Sequence, residues 1–106
     1  MKIKNGASIR GCHWQVWYMS LIVEKHYKKN GYDEVIFTSG SDGIHKHPTH
    51  GLGYAADYRN RDIPKDKRAQ LAQDIQRELG KDYDFIEEFN PDHFHGEYDP
   101  RHGDTQ

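Results

Sequence analysis

Two short segments of this chain carry side chains of the kind that bind metal ions. The first, "HGLGYAAD", runs from His50 to Asp57 and places two glycines and two alanines between a histidine and an aspartate. The second, "DHFHGEYDP", carries His93, His95 and Glu97 at alternating positions. Histidine is the commonest side-chain metal ligand, and this chain has 8 of them. Both segments are therefore candidates for a metal site.

The small residues of the first segment predict a tight turn that leads into a strand. Gly51 and Gly53 disfavour a continuous helix, and glycine lets backbone or ligand approach closely. On the strand that follows, Asp57 shares its face with Ala55 and Arg59, because side chains alternate along a strand. An aspartate next to an alanine has open space in front of its carboxylate, which is what a bound ion or ligand requires.

The second segment also alternates with the period of a strand. His93, His95 and Glu97 fall on one face, and Phe94 and Tyr98 fall on the other. A strand in a protein core does not normally carry two histidines and a glutamate on one face. This face is therefore a candidate for ligand binding.

The two segments can form one site if their strands are neighbours in a sheet. The histidine and aspartate of the first segment would then converge with either His93 or His95 on one cation. Two imidazoles and a carboxylate are a three-ligand zinc set that leaves a fourth tetrahedral position for water. The spacing also allows a simpler interpretation, in which the face is solvated and Asp57 pairs with Arg59 or Arg61.

The elements around these segments predict an α+β domain. Apolar residues at spacings of three and four predict a first helix in "HWQVWYMSLIVEKHYKKN", with Trp14, Trp17, Tyr18, Leu21 and Ile22 on its apolar face. The runs "DEVIFTSG", "YAADYRN", "DYDFIEEF" and "HFHGEYD" predict four strands, and "IPKDKRAQLAQDIQRELG" predicts a second helix. This order indicates a small, mainly antiparallel sheet with two helices.

Composition limits the classes of partner. A chain of 106 residues without an internal repeat predicts one domain over residues 1–106. The 15 basic and 17 acidic side chains give a net charge of -2, so we expect no nucleic-acid partner. No apolar run has the length of a secretory signal or a membrane span, so we expect a protein made in the cytoplasm without a membrane partner. Cys12 is the single cysteine, which excludes an internal disulfide and a thiolate metal pair.

The two metal-binding motifs together resemble those of a family of zinc peptidases. "HGLGYAAD" fits the pattern H-x-x-G-x-A-x-D, and "DHFH" fits the closing D-x-x-H or H-x-H of the fold shared by D-alanyl-D-alanine carboxypeptidases and the Hedgehog zinc domain. Nearly all of the chain is similar to short phage and prophage proteins of that group. The similarity includes the opening "KIKNGASIRG", the loop "TSGSDGIH", the strand "ADYR" and the ending "DHFHGEYDP".

The resemblance implies a role for each residue that matches the family motifs. It implies that His50, Asp57 and His95 are the zinc ligands. It places the general base at Asp92, three positions before the last ligand, where a carboxylate would take a proton from water and pass it to the leaving amine. His93 is adjacent to Asp92 and competes with it as base, or stabilises the oxyanion that forms during the reaction.

The substrate-binding positions depart from the family pattern. Relatives usually have a serine two residues before the first ligand, where this chain has Pro48. Many relatives also carry an arginine in or after the "TSG" turn that binds the carboxylate of the substrate, and here Arg59 is the candidate for that task. Ser39 and His45 are further candidates for the substrate cleft, and each is also of a type that is common in turns.

The resemblance therefore implies a zinc-dependent peptidase that acts on peptidoglycan peptides containing D-amino acids. The bond would be that of a D-alanyl-D-alanine carboxypeptidase or that of the L-alanyl-D-glutamate endopeptidases found in phage lysis enzymes. A lytic role would require delivery to the cell wall by phage machinery. The Hedgehog branch of the fold implies an alternative, a zinc-stabilised binding domain with weak or no catalysis that acts in phage assembly or host takeover.

Overall fold

The computed structural model describes residues 1–4, 7, 12–39 and 54–100. Within these ranges two helices and five strands form an α+β fold, which confirms the predicted fold class. The helices are α1 (Trp14–Lys29) and α2 (Lys65–Leu79). The strands are β1 (Lys2–Ile3), β2 (Ile36–Ser39), β3 (Ala55–Tyr58), β4 (Tyr83–Glu88) and β5 (His93–Tyr98).

The strands form one mixed sheet in the order β1-β2-β3-β5-β4. The pairing of β1 with β2 is parallel, and the other pairings are antiparallel. The sequence did not predict β1, because two residues are too few to show a period. The four predicted strands are present, and each is shorter than the run that predicted it.

Strand β5 lies between β3 and β4, and this position brings the two motifs together. Asp57 of β3 is paired with His95 of β5, and Glu88 of β4 is paired with His93. The neighbouring strands that the predicted site requires are therefore present. A shift of one residue in this register would turn the histidines toward the opposite face of the sheet.

The hydrophobic core lies between the helices and one face of the sheet. Gly96 of β5 is required for this packing, because a Cβ atom there would lie 2.5 Å from Sδ of Met19 and 2.9 Å from the Phe85 ring. Helix α1 therefore rests directly on the strand that carries both histidines. The core side chains of the sheet are Phe37, Ala56, Tyr58, Tyr83, Phe85 and Phe94, and those of the helices include Val16, Met19, Val23, Leu71 and Ile75.

The predicted apolar face of α1 is wrong for four of its five residues. Trp14 is 69% exposed and Leu21 is 65% exposed, and Trp17 and Tyr18 are also exposed, whereas Ile22 is buried. Both faces of this helix carry apolar side chains, and both sets repeat every three to four residues, so the period alone cannot distinguish them. The buried positions of α1 are Val16, Met19, Ser20, Ile22, Val23, His26 and Tyr27.

Two substitutions on α1 distinguish its two faces. We expect Met19→Ala to lower the free energy of unfolding by about 2–5 kcal/mol, because it removes a fully buried side chain. We expect Leu21→Ala, two residues away, to change it by no more than about 0.5 kcal/mol. Urea denaturation of both variants measures the difference. Equal losses for the two variants would contradict the orientation of α1.

Neither of the helices in the described ranges is long and apolar enough to cross a membrane. Helix α1 has 16 residues and helix α2 has 15, and a bilayer-spanning helix needs about 20 mostly apolar residues. Helix α2 is also strongly polar on the face turned away from the sheet, with only a narrow buried stripe.

Candidate metal centre

His95 and Asp57 are in contact on the sheet face that is turned away from the core. Nδ1 of His95 lies 2.9 Å from Oδ1 of Asp57, and Nε2 lies 2.9 Å from Oε1 of Glu97. The imidazole of His95 is only 1% exposed. A buried histidine ring thus lies between two carboxylates, one from the neighbouring strand and one from its own strand.

The surroundings of His95 raise its pKa above the usual value. Burial lowers the pKa, because the charged ring loses its hydration, but the hydrogen bonds to Asp57 and Glu97 raise it more. An imidazolium can donate to both carboxylates at once. A neutral ring that donates from Nε2 to Glu97 instead presents the lone pair of Nδ1 to a metal ion beside Asp57. Ligating histidines commonly donate their second N–H to a carboxylate in this way.

The separation of the two predicted ligands fits one metal ion. Ligands at about 2.0–2.1 Å from a tetrahedral zinc ion lie about 3.3 Å from one another. The 2.9 Å between His95 Nδ1 and Asp57 Oδ1 is close to that distance. A nitrogen and a carboxylate oxygen are also donors that zinc prefers. Both residues therefore suit the ion that the motifs imply.

His93 makes a second set of carboxylate contacts beside the first. Its Nε2 lies 3.0 Å from Oε1 of Glu88 and 3.6 Å from Oδ1 of Asp57. Its Nδ1 lies 2.7 Å from the carbonyl oxygen of Pro91, which can only accept a hydrogen bond. Nδ1 must therefore carry the proton. Both histidines of β5 direct one nitrogen toward Asp57.

Four residues predicted for the site line one cleft, which has a volume of about 570 Å³. Three of the lining side chains are cationic, and they suit an anionic ligand. His95 is buried and is joined to the cleft by its contact with Asp57. The lining residues are Lys4, Thr38, Asp57, Arg59, Arg61, Pro91, Asp92 and His93.

Asp92 lines this cleft while its carboxylate is bound by an arginine of α2. Nη1 of Arg68 donates to Oδ2 of Asp92 at 3.1 Å, and Nε donates to the carbonyl oxygen of Ile63 at 2.8 Å. Arg68 is buried, whereas the Asp92 side chain is partly exposed. The buried guanidinium thus fixes the orientation of Asp92.

Sequence reasoning missed Arg68 and Glu88 as parts of the site and assigned no role to Glu97. Arg68 shares the buried stripe of α2 with Leu71 and Ile75, so a charge within an apolar stripe was the available signal. The sequence placed Glu97 on the same face of β5 as the two histidines, but it did not show which side chain Glu97 contacts. Glu88 could be found only from the register of β4 against β5, which the sequence does not specify.

Some of the predicted site residues lie outside the described part of the chain. His50, the first predicted zinc ligand, and His45, a predicted substrate residue, are among them. Ser39 ends β2, and its side chain also lies outside the described part. The roles assigned to these three residues remain predictions from the motifs.

Comparison of the chain with protein-family models, with curated proteins and with solved structures gave no match. A function therefore has to be argued from the residues of the site. The available support consists of the two motifs, the contacts around Asp57 and His95, and the cleft beside them.

Proposed function

We propose that this chain is a zinc-dependent peptidase with the fold of the D-alanyl-D-alanine carboxypeptidases and the Hedgehog zinc domain. Its substrates would be peptidoglycan peptides with D-amino acids, reached through delivery by phage machinery. One observation carries the proposal. The last residue of the first motif, Asp57, contacts the last histidine of the second motif, His95, across two neighbouring strands at 2.9 Å.

The alternative of a plain solvated sheet face explains this contact poorly. A solvated face would leave its histidine exposed, whereas His95 is buried between two carboxylates. Burying an ionisable group is unfavourable unless it is paired or binds a metal, and His95 has a carboxylate beside each ring nitrogen. A ligating histidine commonly has one nitrogen at the metal and the other bound to a carboxylate, so this arrangement supports the proposal.

In the proposed site His50, Asp57 and His95 hold the zinc ion, and Glu97 orients the ring of His95. A zinc ion held there would lower the pKa of a bound water molecule to roughly 7 and would polarise the carbonyl of the scissile bond. Asp92 accepts the proton of the attacking water and passes it to the leaving amine. Since Arg68 binds Oδ2, we assign the proton transfer to Oδ1.

The cationic wall of the cleft supports an acidic peptide as substrate. Lys4, Arg59 and Arg61 line the cleft together with Asp57. The D-alanyl-D-alanine bond lies beside a terminal carboxylate, and the L-alanyl-D-glutamate bond also lies beside a carboxylate. Arg59 directly follows β3, which carries Asp57, so we assign it the carboxylate of the substrate. Ser39 and His45 complete the proposed substrate residues.

A zinc-stabilised binding domain is the second candidate, and the ion pair of Asp92 favours it. The carboxylate of Asp92 is held by a buried guanidinium, as a carboxylate with a structural role would be. The protein could then keep its zinc for stability and use the cleft only to bind an acidic partner. The two candidates differ in whether wall peptides are cleaved.

Digestion of purified peptidoglycan tests the proposed function. We expect the zinc-loaded protein to release either free D-alanine or peptides that end in a new L-alanine carboxylate. Mass spectrometry of the soluble fragments identifies which bond is cleaved. Asp57→Ala serves as the inactive control, because it removes a proposed ligand. If the zinc-loaded parent releases nothing above this control, the peptidase proposal is wrong.

A further inference from the structure

We infer that Asp57, Glu88 and His93 form a second divalent-cation site, which shares Asp57 with the proposed zinc site. One ligand atom from each of these residues lies within 4.8 Å of the other two. The residues come from β3, β4 and β5, which are consecutive in the sheet with β5 in the centre. The inference goes beyond the proposed peptidase and does not depend on catalysis.

The hydrogen bonding of His93 directs a lone pair at the two carboxylates. The carbonyl of Pro91 accepts the proton on Nδ1, so a neutral ring has no proton on Nε2. Nε2 then faces Oε1 of Glu88 at 3.0 Å and Oδ1 of Asp57 at 3.6 Å. An ion between these three atoms would be bound by one nitrogen and two carboxylate oxygens.

The separations within this group suit a divalent cation, and its two carboxylates attract one. The separations of 3.0 and 3.6 Å also bracket the distance of about 3.3 Å between ligands of a tetrahedral zinc ion. One nitrogen and two carboxylate oxygens suit zinc and similar first-row divalent ions.

The site is also accessible. Asp57 and His93 line the cleft, and the side chains of Asp57, Glu88 and His93 are each partly exposed. An ion can therefore reach these residues from solvent without opening of the core. His95, by contrast, is buried, so the two histidines of β5 offer one accessible ligand and one enclosed ligand.

Asp57 is the residue that joins the two sites. Its Oδ1 atom lies 2.9 Å from Nδ1 of His95 and 3.6 Å from Nε2 of His93. A carboxylate can bridge two cations, and hydrolases with two metal ions hold them about 3.5–4 Å apart. In this arrangement His93 is a metal ligand, which leaves Asp92 as the base of the proposed reaction.

Metal counting tests the second site. Metal-free protein is loaded with zinc, passed through a desalting column and analysed for zinc per chain, and a parallel titration with cobalt(II) follows its visible absorption. We expect about two ions per parent chain and about one in Glu88→Gln and in His93→Ala. Glu87→Gln is the matched control and should keep both ions, because Glu87 lies on the α2 side of the sheet.

The outcomes separate this inference from the proposed function. In one outcome the parent binds one ion, His95→Ala loses this ion and Glu88→Gln keeps it. The second site is then refuted, and the proposed zinc site stands. If Glu88→Gln and His93→Ala remove the only ion and His95→Ala keeps it, the site at Asp57, Glu88 and His93 is supported, and the proposed ligand set is wrong. Glutamine preserves the shape of Glu88, so melting temperatures near that of the parent confirm that the variant is folded.

Discussion

Replacement of Asp57 by alanine should remove all tightly bound metal from this protein. Asp57 contacts both histidines of β5, at 2.9 Å from His95 and 3.6 Å from His93, so it belongs to the proposed zinc site and to the inferred second site. Loss of a residue that only orients a ligand lowers metal affinity by about 10–100-fold. Loss of a direct ligand should exceed that range. Elemental analysis of the purified variant measures the result.

Variants of the other residues around the proposed zinc site should lose zinc affinity to different degrees. His50→Ala and His95→Ala remove direct ligands of the proposed zinc site and should lose that ion. Glu97→Gln should keep it with an affinity lowered by about 10–100-fold, because Glu97 only orients His95. His13→Ala and His26→Ala should retain metal, since His13 stacks on Tyr54 and His26 contacts Glu78. Metal loss in these two controls with retention in the first two variants would place the site elsewhere.

Removal of the metal should also lower the stability of the parent. An ion that binds the folded state alone adds about 4.1 kcal/mol when its concentration is 1,000 times the dissociation constant. A chelator should therefore lower the melting temperature of the parent and leave that of Asp57→Ala unchanged. The comparison separates lost metal binding from general damage to the fold.

The part of the site that the sequence predicted depends on alternation within single strands. Asp57 was assigned to an open face of β3, and His93, His95 and Glu97 to one face of β5, because side-chain direction follows from a period of two. The contact of Asp57 with His95 needed only that the two strands be neighbours.

The missed parts depend on relations between elements. Glu88 meets His93 only through the register of the β4–β5 hairpin, and Arg68 reaches Asp92 only through the packing of α2 on the sheet. The prediction of the buried face of α1 was wrong for a related reason, because both faces of this helix carry apolar residues. The burial of Met19 instead of Leu21 is determined by the sheet beneath the helix, where Gly96 leaves room for Met19.

Asp92→Asn should retain zinc and the fold while its peptidase activity falls by about 10²–10⁴-fold, the usual effect of losing a general base. Asparagine has nearly the shape of aspartate but cannot accept the proton of water. Its amide oxygen can still accept the hydrogen bond from Arg68, so the buried guanidinium keeps a partner. Asp92→Ala would leave the buried charge of Arg68 without its ion pair and would lower stability. A loss of activity in that variant could then not be separated from a loss of stability.

Rates on the cleaved wall peptide, zinc content and melting temperature together decide the role of Asp92. Asp66→Asn is the control, because Asp66 is an exposed carboxylate in the first turn of α2 and does not line the cleft. If Asp92→Asn is as active as the parent while His93→Ala is inactive with its full metal content, the base is His93. If Asp92→Asn loses zinc, Asp92 is a ligand. The binding-domain alternative replaces the peptidase if two results coincide. The zinc-loaded parent then cleaves no wall peptide, and its melting temperature still rises with zinc, because the ion stabilises the folded domain without catalysing hydrolysis.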